Sequence, residues 1–83
     1  MEVLYQRCCG LDVHQKTVVA CFVSPEGKET RTFKTMTGDL LQMADWLVAK
    51  RVTHVAMEST GVYWRPVYNI LEALGLTLLV MNA

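Results

Sequence analysis

The chain has 83 residues, 52% hydrophobic and 19% charged, with eight basic residues balanced by eight acidic ones. Such a composition excludes a disordered segment, permits one small domain at most, and lacks the basic excess of a protein that grips nucleic acid by itself. A core this small rarely gives more than ~3–5 kcal/mol, so the domain is expected to be marginal or a piece of something larger. No apolar run approaches the ~20 residues of a membrane helix. The N-terminus, interrupted by Glu2, Gln6 and Arg7, lacks the apolar segment of a signal peptide. Cys8, Cys9 and Cys21 are odd in number and lack metal-ligand spacing, so reduced thiols and a cytoplasmic location are expected.

In chain order, Leu4–Val13 reads as a first strand, apolar apart from Gln6 and Arg7, and such a run suggests cover on both faces. Cys8 and Cys9 should point to opposite faces of it. Thr17–Ser24 is rich in β-branched residues and forms a second strand. Pro25-Glu26-Gly27-Lys28 is a turn, and Lys28–Thr35 is the outer strand of an antiparallel meander, with Lys28 and Lys34 guarding its edge. Thr37 is the expected N-cap of a helix. Asp39 lies in its first turn, its stripe is Leu40, Met43, Ala44, Leu47 and Val48, and Lys50-Arg51 fall in its last turn.

Thr53–Met57 should be a short strand that stops at Glu58, followed by a Ser59-Thr60-Gly61 turn. Pro66 is tolerated only in a first turn, so the second helix begins between Val62 and Arg65. Val67, Ile70, Leu71 and Leu74 form its stripe, with Gly75 as the residue that ends it. Leu76–Met81 is a last, fully apolar strand, and Met36, Met43, Met57 and Met81 read as core filler. The order β-β-β-α-β-α-β implies an α/β fold, a mixed sheet with helices on its faces. The chain stops at Ala83, directly after a strand that ought to feed another helix, so the fold reads as unfinished.

The residues that point to chemistry are two acids. Asp12 and Glu58 each lie at or near the carboxyl end of an apolar strand, where α/β sheets collect their ligands. A buried carboxylate is costly unless its charge is used, although Asp12 could also simply start the turn that follows it. If the two strands pair in parallel, the acids converge, and the pair then requires a shared proton or a cation. Mg²⁺ or Mn²⁺ suits all-oxygen ligands, and such ions can clamp the oxygens of a phosphodiester displacement.

The segments GLDVHQKTVVACFV (Gly10–Val23) and HVAMESTGVYWRPVYNILEALG (His54–Gly75) resemble the N-terminal RuvC-like domain of the DEDD transposases. These are insertion-sequence recombinases related to the Piv invertases, and some are guided by a bridge RNA. The resemblance runs from about Cys9 to Ala83, and the Glu-Ser-Thr-Gly-Val-Tyr-Trp run is its most specific part. It implies an RNase H-like fold, with residues 1–83 as the N-terminal portion of the catalytic domain. It further implies Asp12 and Glu58 as the first two acids of a tetrad, Mg²⁺ or Mn²⁺ as cofactor, and DNA as partner, with a guide RNA and homo-oligomers in such systems. The family's third and fourth acids and its C-terminal serine have no match in this chain. The chain alone is therefore expected to have the fold without turnover.

Around the acids, Lys16 and Arg65 are candidates for phosphate contacts, and Tyr63 and Trp64 for stacking on a base; solvated or packed roles are their alternatives. His14 could touch a metal or move a proton, or serve as a polar turn residue. Ser59 and Thr60 lack a partner base and read as turn residues, and His54 as structural. Two other functions fit less of the chain. An ATP-binding domain of the actin and sugar-kinase type would carry glycines in its first hairpin, where Val13-His14-Gln15-Lys16 stands. An inactive assembly module would pair through exposed sheet edges.

Overall fold

A computed structural model describes residues 7–82. Five strands and two helices follow in the expected order: β1 (Cys8–Val13), β2 (Thr17–Ser24), β3 (Gly27–Lys34), α1 (Thr37–Ala49), β4 (His54–Ser59), α2 (Trp64–Glu72) and β5 (Thr77–Asn82). They form one sheet of order β3-β2-β1-β4-β5. The β1–β2 and β2–β3 pairs are antiparallel, and β1–β4 and β4–β5 are parallel. The part of the first strand expected at Leu4–Gln6 lies outside the described residues.

The sheet is covered on one face only, which corrects the expectation that the first strand is buried on both. Cys9, Leu11 and Val13 of β1, Val18, Ala20 and Phe22 of β2, and Val55 and Met57 of β4 all join one core with Leu40, Met43 and Leu47 of α1 and Val67 and Leu71 of α2. Alternation along a strand sends the intervening residues to the opposite, open face: Cys8, Gly10, Asp12, Val19, Cys21, Val23, His54, Ala56 and Glu58. The open-face residues of β1 are small or apolar apart from Asp12, and so the sequence hides the alternation. β5, expected as a fully apolar strand, likewise alternates, with Leu79 and Met81 exposed.

Local chemistry explains the ends of the elements. Pro25 and Glu26 close a tight β2–β3 hairpin, and Gly27 takes the positive φ of 138° that its return needs. The N-cap of α1 is Met36, in extended backbone, rather than Thr37, which is already the first helical residue; no side chain caps that end. Lys50 is the C-cap and Arg51 follows at φ 59°, so neither lies in the last turn. Trp46 replaces Val48 in the buried stripe: it packs against Phe22 and Phe33, while Val48 is 56% exposed. Met36 and Met81 are exposed, and only Met43 and Met57 are core. Ser59 belongs to β4 and is buried, its hydroxyl donating to the Thr60 carbonyl. α2 ends at Glu72, so Leu74 falls outside it and is partly exposed, with Gly75 at φ 73° two residues past the Ala73 cap.

At the end of the sheet away from the acids, Arg7 and Lys50 both lie over the Phe22 ring. The Arg7 Nε donates to the Lys50 carbonyl at 2.6 Å, Arg7 pairs with Glu26 and Lys50 with Glu29. Hydrogen bonds from Ser24 and Arg7 hold the Glu26 carboxyl below the usual range. These contacts tie the β2–β3 hairpin to the end of α1. As expected, β3 is an edge strand with Lys28 and Lys34 exposed.

All three cysteines are free. Burial, with Cys21 and Cys8 nearby, pushes the Cys9 thiol from 9.0 up to about 12. Because the folded value is raised, this contribution to stability is complete below pH 9 and is lost as pH rises towards 12. The denaturation midpoint of the chain should therefore fall steeply over that window, and the Cys9→Ala variant should lose less. A thiol reagent at neutral pH should modify Cys8 and Cys21 first and reach Cys9 only on unfolding.

Candidate metal centre

β1 and β4 lie side by side in parallel, and their register sets Asp12 directly beside Glu58. Each acid is the second-last residue of its strand, so both sit at the carboxyl end of the sheet on the open face. Neighbouring strands are ~4.8 Å apart, which brings the two carboxylates within reach of one ion. The fourth strand was expected to stop before Glu58. Instead it runs on through Ser59, and its hydrogen-bonded backbone holds Glu58 rigidly.

The two acids share a shallow open hollow of about 310 Å³ with Gly10, Val19, Cys21, Ala56 and Met81. Gly10 and Ala56, partners across the β1–β4 pair, have no bulk to fill its floor. Val19 flanks Asp12 on β2, and Met81 flanks Glu58 on β5. His14, in the β1–β2 turn, places its Nε2 3.0 Å from Asp12 Oδ2. The Asp12 side chain is 57% exposed, so water, and not burial, surrounds this acid. Among the described residues no three His, Cys, Asp or Glu side chains converge as a complete ligand set. The donor set nonetheless fits a hard divalent cation: two carboxylates on one rigid floor, open to water and to further ligands.

The family model for DEDD transposases of the IS110 type, described as "Transposase", matches residues 9–83. The chain belongs to this transposase family. No curated protein matches it. Among solved structures, T. thermophilus RuvC in complex with a Holliday junction substrate is similar at a TM-score of 0.71 and 12% identity, covering 94% of this chain and 65% of that one. The likeness shows the fold, an RNase H-like mixed sheet, and this chain spans 65% of the RuvC chain's length. A PPX-GPPA enzyme of Aquifex aeolicus is similar at a TM-score of 0.45 and 13% identity, covering 93% of this chain and 36% of that one.

The remaining candidates lie in two places. Lys16 is exposed in the turn after Asp12, its carbonyl accepting the Thr35 amide. Tyr63 is 40% exposed in the loop after β4. Neither of them lines the acid hollow, and neither do Trp64 and Arg65. The latter two open α2 and line a second one with Tyr68, Asn69 and Val80. Tyr68 and Asn69 escaped the sequence reading; the signal available was the four-residue spacing of Trp64 and Tyr68, which puts both on one helix face. Thr53 Oγ1 lies 2.7 Å from His54 Nδ1, in keeping with a structural histidine.

Proposed function

We propose that residues 1–83 form the N-terminal portion of a RuvC-like catalytic domain that cleaves and joins DNA phosphodiesters. In this reading Asp12 and Glu58 are the first Asp and the Glu of a DEDD tetrad and hold Mg²⁺ or Mn²⁺. The observation that carries the proposal is the in-register pairing of Asp12 with Glu58 on the open face, at the carboxyl ends of two parallel strands. A bound divalent ion would supply charge neutralisation at the phosphoryl oxygens and activation of the attacking oxygen. Asp12 and Glu58 orient it. Lys16 and Arg65 contact phosphates, and Tyr63 and Trp64 contact bases. The partners are DNA and, in systems of this kind, a guide RNA and further copies of the chain.

Half a ligand set binds weakly, so the test has to detect weak binding. Mn²⁺ added to isotopically labelled chain should broaden the amide signals of Val13 and Ser59, next to the acids, before those of β3. The Asp12→Ala variant should lose the broadening at Ser59. Uniform broadening, or broadening at Ser59 that survives the substitution, removes the acid pair from the reading.

A further inference from the structure

The hollow beside α2 is separate from the acid pair and has its own chemistry. It measures about 620 Å³, within the range of small-ligand sites, and is lined by Trp64, Arg65, Tyr68, Asn69 and Val80. Trp64 and Tyr68 are half-buried, with ring centroids 5.7 Å apart at 83°, so their inner edges pack on the core and part of each ring is left to the hollow. The Arg65 guanidinium lies 5.7 Å from the Trp64 ring centroid. Among the described residues Arg65 has no carboxylate in salt-bridge range, unlike Arg7 and Lys50. Asn69 is exposed at the rim with an amide that can both donate and accept.

We propose that this hollow binds a single unpaired nucleobase. The inference rests on the nucleic-acid reading above and adds a subsite to it. An indole face, a second ring set at an angle, a flexible cation and an amide are the groups that bind a splayed-out base: rings and guanidinium stack on its faces, and the amide meets its edge. An apolar protein segment would match Val80 and the rings but leave the Arg65 charge without a partner. A nucleotide satisfies both, because its phosphate supplies the anion. Trp64 follows the end of β4 by a short loop, and Val80 lies on the helix-covered face of β5, opposite to Met81, the open-face residue beside Glu58. The hollow and the acids therefore lie on opposite faces of the sheet, and a strand that crosses its carboxyl end from the acid face to the helix face can set a base into the hollow.

The test is a fluorescence titration of the chain in EDTA, so that the acid pair and any metal play no part. The probes are a ten-residue oligothymidylate and a decamer of the same backbone without bases. Each probe carries a terminal fluorophore whose anisotropy reports binding, and the oligothymidylate should bind more tightly than the baseless decamer by roughly 5- to 150-fold, the effect of losing one base stack. Trp64→Ala should lose that preference and Trp64→Phe should retain most of it. Equal affinity for the two probes overturns the proposal, as does no binding of either, and neither result depends on a variant that must fold. Concentration-dependent association that Trp64→Ala abolishes would assign the hollow to a protein partner and overturn it too. Failure here with the Mn²⁺ broadening intact leaves the metal reading standing; the reverse outcome sinks only the metal reading.

Discussion

Replacing Glu58 with Gln should abolish divalent-ion binding at the open face and raise the stability of the metal-free chain. The two results have one cause. Register sets Asp12 and Glu58 side by side on neighbouring strands, and like charges so placed repel. Both acids are exposed, so water screens the repulsion, and its removal should gain only about 0.2–1 kcal/mol. Asp12 also has the His14 ring at 3.0 Å, whereas Glu58 has no such neighbour among the described ion pairs, so Glu58 is the better position to test. A site that is repulsive when empty and attractive around a cation is what metal binding requires. In a DNA-joining assay of a complete transposase, the same change should lower the rate by about a thousandfold. Charge stabilisation by a bound ion is worth several kcal/mol, and about 1.4 kcal/mol is a factor of ten. A Glu58→Gln chain that is less stable than wild type, or that still shows metal-dependent broadening at Ser59, would contradict this account.

The second large effect concerns the support beneath the site. Leu47 is fully buried in α1, at the centre of the core that the helices share with β1, β2 and β4. Leu47→Ala should cost about 2–5 kcal/mol, from lost burial and the cavity left behind. In a domain this small that is most or all of the stability, so the variant should be largely unfolded at room temperature. Val48, next along the helix and 56% exposed, should tolerate alanine within about 0.5 kcal/mol. Urea denaturation followed by circular dichroism separates the two. Similar midpoints for both variants would mean that α1 is rotated relative to the packing described above.

The contrast between Leu47 and Val48 shows where sequence reasoning reached its limit. Helical spacing placed both in the stripe, and the five-residue set Leu40, Met43, Ala44, Leu47 and Val48 was a reasonable arc. Which edge of that arc faces the core depends on what lies opposite. Here Phe22 and Phe33 present rings, and Trp46 turns in to meet them. Similarly, Gly75 was expected directly after the helix cap, but α2 ends sooner than its apolar pattern does: Ala73 is the cap, Leu74 is exposed, and Gly75 takes its positive φ one residue later.

Several features were settled by the sequence itself. Alternation, turn residues and the position of Pro66 determined the element order, the β2–β3 hairpin and the start of α2. The charges of Lys28 and Lys34 marked the edge strand. Two acids at strand ends were legible as well. What the chain alone could not decide was their relation. A parallel strand that slips by two residues keeps every side chain on its own face, so apolar patterning cannot distinguish one such register from another. The hydrogen-bonded pairing of β1 with β4, strands that α1 separates in the chain, sets Asp12 against Glu58. The tertiary structure likewise decided that both helices cover the same face, leaving the acids in water on the other. Gly10, Cys21 and Ala56 are apolar enough by type to look buried, and only the placement of the helices shows that they are the open floor of the site.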